Sequence, residues 1–201
     1  MASMEQSFAY TWDSSFEERQ MVFPYVSEAC RRLRYMSDSD DVYFRAVDVK
    51  APAPIVFRWL CQLKVASYSY GWLDNLEKTF FEGQERIPSP YSPKELTPGS
   101  ETLAPDQRCM GVFKLVEFGQ NRHLTMIMDA PRAIAIFGDI AASYVVFPGT
   151  ENTFRLVLKG HVRYPRNGFG LWMRWLLPWG DLLMMQKQFL TLKHLAENQA
   201  T

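Results

Sequence analysis

The chain lacks most of what metal, phosphate or nucleophile chemistry is built from. Its 201 residues include three cysteines and three histidines. Cys30, Cys61 and Cys109 are too few and too scattered for a disulfide framework or a zinc site. No two of His123, His161 and His194 stand at metal-ligand spacing, and neither HExxH nor CxxC occurs, so no metal and no cofactor are expected. Gly168-Phe169-Gly170 lacks the third glycine and the strand–turn–helix setting of a phosphate loop, and there is no Gly-x-Ser-x-Gly elbow. Charge of either sign is not in excess: 22 basic residues balance 22 acidic ones. No basic run extends beyond Arg31, Arg32 and Arg34, so nucleic acid is not an expected partner. The most apolar stretch, 168–185, is broken by Arg174, Pro178, Gly180 and Asp181, whereas a membrane span needs about 20 mostly apolar residues. The first 20 residues hold neither a basic n-region nor an apolar h-region; with the odd cysteine count, this leads us to expect a reducing cytoplasm.

What is present is large apolar surface: 14 Phe, 9 Tyr, 6 Trp and 10 Met. Such residues suit a cavity wall as well as a tight core. The length fits one folded domain.

Residues 1–20 read as a loosely held polar arm, and 21–36 show helical spacing at Val26, Ala29, Cys30, Leu33 and Met36. The acidic 37–41 reads as a solvated break. Residues 42–50 alternate as a half-buried strand, with Tyr43, Arg45, Val47 and Val49 on one face. Pro52 and Pro54 end it, and Pro54 can open a helix over 54–63 striped with Val56, Trp59, Leu60 and Leu63. Five prolines make 82–108 irregular, with a strand expected near 101–104. Strands are expected at 110–118, 123–130, 133–137, 143–147 and 152–162, an antiparallel meander with short turns. Leu182, Met185, Phe189, Leu192 and Ala196 then stripe a helix over 180–198. One strand, a helix, a run of strands and a closing helix spell α+β.

Four pieces of this order resemble the START-related helix-grip superfamily (SRPBCC), and within it the polyketide cyclase/dehydrase-like bacterial proteins. They are Arg45–Val47 through Ala51-Pro52; Phe57-Arg58-Trp59-Leu60-Cys61-Gln62-Leu63; Tyr68-Ser69-Tyr70-Gly71-Trp72-Leu73-Asp74-Asn75; and Gly180–Gln188 followed by Leu192-Lys193 and Ala196-Glu197. Gly71 departs from the pattern where an acid is common. The resemblance covers about 42–198 and implies a curved antiparallel sheet wrapped around a long C-terminal helix, with an internal cavity between them. Residues 1–41 lie outside it as an N-terminal extension of arm plus short helix, leaving 42–201 as the ligand-binding domain.

The resemblance implies a small hydrophobic or lipid-like ligand held between sheet and helix. Period-two reading offers Phe113, Leu115 and Glu117, then Met126 and Met128, Tyr144, Phe154 and Leu156 as lining, with Met185, Gln188 and Phe189 from the last helix. Tyr68, Tyr70 and Trp72 share one side of an extended segment at the cavity mouth, or brace the first helix against the sheet; the brace is the expected main role. A buried Glu117 would need hydrogen bonds or a raised pKa, and it is the one catalytic candidate; at a strand end in water it would be neither. The histidines are expected at the surface. A rival reading is a cyclase/dehydratase-type enzyme in the same cavity. Another is contact with a partner or, transiently, a membrane surface through the Trp- and Arg-rich 163–179, which we expect to pack on the sheet instead. Oligomeric state is left open.

Overall fold

The computed structural model describes residues 7–23, 39–69, 92–149 and 153–201. Its elements are the short helices α1 (Phe8–Thr11) and α2 (Phe16–Gln20), strand β1 (Asp41–Val49), helix α3 (Ala53–Cys61) with a 3-10 turn at Gln62–Lys64, strands β2 (Arg108–Cys109), β3 (Phe113–Gly119) and β4 (His123–Met128), helix α4 (Pro131–Phe137), strands β5 (Asp139–Pro148) and β6 (Phe154–Arg163), and helix α5 (Gly168–Ala200). Among the described residues the strands form one antiparallel sheet in the order β1-β6-β5-β4-β3-β2. Helix α5 lies on one face, and its buried Met185, Phe189, Leu192 and Ala196 join the main core with the inward residues of the sheet and α3. This is the expected α+β helix-grip arrangement.

Three elements depart from the sequence reading. Residues 133–137 form helix α4 rather than a strand: Ala-Ile-Ala-Ile-Phe satisfies either period over so short a run. Pro131 at the first turn and Gly138, at φ 87° just past the end, decide for the helix. No strand stands at 101–104; after α3 the next described strand is β2. Helix α5 starts twelve residues earlier than its stripe implies. Asn167 caps it by accepting from the Gly170 amide at 2.9 Å, and Pro178 sits inside it.

The N-terminal segment is not loose where it is described. The Ala46 amide donates to the Trp12 carbonyl at 3.1 Å on the open edge of β1, while Ala9 and Tyr10 pack with Tyr43 and Val162 and Phe23 packs with Phe44 and Val157. Arg155 on β6 reaches Glu18 at 2.7 Å and also Asp13. Ser15 and Glu18 close a capping box on α2. Most of the helix expected at 21–36 falls outside the described residues. Asp40, expected in water, accepts from Arg174 at 2.6 Å and from the Tyr164 amide at 2.9 Å.

Candidate functional site

The inward residues of the sheet follow strict alternation on β1, β6, β5 and β4, so Arg45, Leu158, Tyr144 and Leu124 form one row across four strands. On β3 the alternation slips. A register shift between Leu115 and Glu117 sends Phe118 to the core and Glu117 to the outer face, opposite Thr125. The period-two reading of Glu117 as an inward residue is therefore corrected: a bulge inverts every later side chain of the strand.

The remaining expected lining residues are close-packed. Leu115, Met126 and Phe189 are wholly buried, and Tyr144, Leu156 and Gln188 are all but so. The Tyr144 hydroxyl donates to Gln188 Oε1 at 2.8 Å, and Gln188 Nε2 donates to the Ser67 carbonyl at 2.6 Å. Burial drives the Tyr144 phenol far above its ordinary pKa. Met128 and Met185 are buried, while Phe113 and Phe154 are half-buried against the same core.

Tyr68 is buried against helix α3. Its ring meets Trp59 edge-on at 6.4 Å, its hydroxyl donates to the Pro93 carbonyl at 3.1 Å, and burial lifts its pKa to about 12. Its φ of 54° turns the chain out of the extended path that would have aligned it with its neighbours. Tyr70 and Trp72 lie outside the described residues. Burial also raises the Cys61 and Cys109 thiols to about 12 and about 11, which removes them as nucleophiles near neutral pH.

An open cleft of about 530 Å³ sits elsewhere, at the end of the sheet where β3 turns into β4 and β5 approaches β6. Phe23, Val145, Phe147 and Phe154 give it apolar walls, and Asn121, Arg122 and His123 give it one polar end. Behind that end, His123 Nε2 stands 3.7 Å from Glu117 Oε1. Neither that nitrogen nor Glu117 Oε2 has a hydrogen-bond partner among the described residues. Burial lowers the His123 pKa, with Glu117 pulling it back up. Nothing in the spacing of the sequence pairs Glu117 with His123; the β3–β4 register does, by placing both on the outer face.

His161 is also buried, contrary to expectation, and bonds Ser39 Oγ through Nδ1 at 3.0 Å. The expectation that 163–179 packs on the sheet holds for Tyr164 and Met173, which join a core with Tyr43 and Val162, and fails for the tryptophans: Trp172 is 71%, Trp175 70% and Trp179 50% exposed. Sequence reasoning missed Arg45, an inward and wholly buried cation whose Nη2 meets Asp181 on α5 at 2.6 Å and the Ala9 carbonyl at 2.8 Å. Its only signal was a charge on the apolar face of an alternating strand. Among the described residues, no cluster of His, Cys, Asp and Glu could hold a metal, and no helix is long and apolar enough to cross a membrane.

No family model matches the chain, and no curated protein does. Solved structures similar to it include the di-domain ARO/CYC StfQ from the steffimycin biosynthetic pathway, at 12% identity and TM-score 0.46, covering 86% of this chain and 55% of that one. A norcoclaurine synthase point mutant from Thalictrum flavum, in complex with a transition-state analogue, is 13% identical at TM-score 0.40, over 80% of this chain and 96% of that one. Ara h 8.0201 is 6% identical at TM-score 0.42, over 78% and 97%.

Proposed function

We propose that the protein binds a small apolar or lipid-like molecule in the cleft at the turn end of the sheet. The observation that carries this is the cleft itself, an open recess of about 530 Å³ with apolar walls and a few polar groups at one end. Arg122 and Asn121 are placed to orient a polar or anionic head while Phe23 and Phe147 cover a tail. A ligand between sheet and α5 would have to displace the Tyr144–Gln188 hydrogen bond. Native mass spectrometry of protein purified from its source, followed by thermal shift with fatty acids and aromatic polyketides, tests the proposal. Binding that is lost in Val145→Trp and kept in Tyr144→Phe supports the cleft. Failure to find any co-purifying or stabilising apolar compound rejects it.

A second reading, an acid–base enzyme of the cyclase/dehydratase type, is favoured by one observation: the Glu117–His123 pair beside the cleft. With its pKa lowered by burial, His123 is neutral at pH 7 and able to accept a proton from a bound substrate, with Glu117 stabilising the imidazolium that results. Glu117→Gln would then abolish turnover while leaving ligand binding within about twofold, since a neutral amide of the same shape keeps the packing. Turnover unchanged in that variant rejects the reading.

A further inference from the structure

Helix α5 is apolar on both sides. Its inner side grips the sheet; its outer side exposes Trp172, Leu176, Trp179, Leu183 and Leu190. These recur, with Gln186, at steps of four, three, four, three and four residues. That is the seam of a helix pair, and it does not serve the helix's own fold. Between 168 and 186 the only charged residues are Arg174 and Asp181, and both turn to the protein body, Arg174 to Asp40 and Asp181 to Arg45, each at 2.6 Å.

We propose that this face is an interface between two copies of the chain, with their α5 helices packed antiparallel about a two-fold axis beside residue 181. The seam is its own complement in that arrangement. Trp172 meets Leu190 of the second copy, Leu176 meets Gln186, and Trp179 meets Leu183, so each bulky ring faces a smaller side chain. A two-fold interface requires such self-matching. Trp175 and the five exposed apolar residues of the seam are 50–71% exposed. Together they offer on the order of 750 Å² of apolar surface per copy, close to the ~800 Å² per partner of a stable interface. A lipid surface fits less well: of the two cations near the tryptophans, Arg174 is held by Asp40 at 2.6 Å, which leaves Arg166 as the one largely exposed cation for headgroups to recruit.

Sedimentation equilibrium of the full chain from 1 to 100 µM, as order-of-magnitude limits for an interface of this size, reads the outcome. The expected result is a dimer whose dissociation constant rises on the order of 100-fold or more in Leu183→Glu, because the two-fold axis buries the new charge twice. Circular dichroism verifies that the variant folds. Oxidising a mixture of Trp179→Cys and Leu183→Cys chains should link the two, which fixes the antiparallel register without depending on a destabilised variant. A wild-type monomer at the highest concentration, a dimer that Leu183→Glu leaves intact, or absence of the mixed disulfide overturns the proposal. So does a monomer that sediments with phosphatidylcholine/phosphatidylglycerol vesicles, which would assign the face to a lipid surface.

Discussion

Arg45 and Asp181 meet at 2.6 Å between the edge strand β1 and the middle of α5, with Arg45 wholly buried. The guanidinium also donates to the carbonyls of Ala9 and Phe44, so a single side chain joins the N-terminal segment, the sheet and the closing helix. Burial pushes the Asp181 carboxyl above its ordinary pKa, and Arg45 pulls it down again.

Removing Asp181 leaves the guanidinium buried alone, and removing Arg45 leaves a carboxylate that is only 22% exposed without its partner. Arg45→Ala should cost about 3–5 kcal/mol in urea unfolding, while Arg45→Met combined with Asp181→Leu should recover most of that loss. A double variant no more stable than Arg45→Ala would mean that the cost comes from lost packing.

The Tyr144–Gln188 hydrogen bond lies in the core, where neither group can turn to water. Tyr144→Phe should destabilise by about 1–2 kcal/mol by leaving Gln188 Oε1 without its donor. Gln188→Leu should cost more, because it removes the acceptor of the tyrosine hydroxyl and also one donor to the Ser67 carbonyl. Chemical denaturation of the two variants provides the comparison.

His161 sets a pH dependence. Burial, aided by the Lys159 charge, lowers its pKa from 6.5 to about 4. Between those values the unfolded chain binds a proton that the folded chain does not, so stability is full above pH 6.5 and falls as pH drops toward 4. The loss across the window is about 3 kcal/mol at most. In His161→Gln, that part of the slope of unfolding free energy against pH should vanish; an unchanged slope would place the titration elsewhere.

Gly138 links α4 to β5 at φ 87°, and a Cβ there would stand 2.0 Å from the Arg163 carbonyl oxygen. Gly138→Ala should lower Tm by roughly 5–10 °C, from strain of about 2–3 kcal/mol. Differential scanning calorimetry measures it, and a shift within a degree of wild type would show that the turn relaxes.

Much of the fold was legible because it is local and periodic. Alternation over 42–50 and 152–162, the Pro-opened helix at 54–63 and the stripe from Leu182 to Ala196 each declare their inward face through the geometry of one element. The candidate site was less legible. Leu115, Met126, Tyr144 and Leu156 do face inward as read, yet facing inward does not distinguish a packed side chain from a cavity wall. The inward reading of Glu117 fails because a bulge leaves no mark in composition.

The sequence by itself determined most of the order of elements and the inner face of most strands, since backbone stereochemistry and apolar burial act over a few residues. Only the tertiary structure decided that Arg45 finds Asp181 136 positions away and that Glu117 and His123 share the outer face. It also decided that an open cleft lies at the turn end and that the tryptophans of α5 point outward. Those outcomes depend on strand register and on which side of a helix the sheet claims. The physical reason is that an apolar stripe is equally content against its own sheet or against a second chain, and α5 carries two.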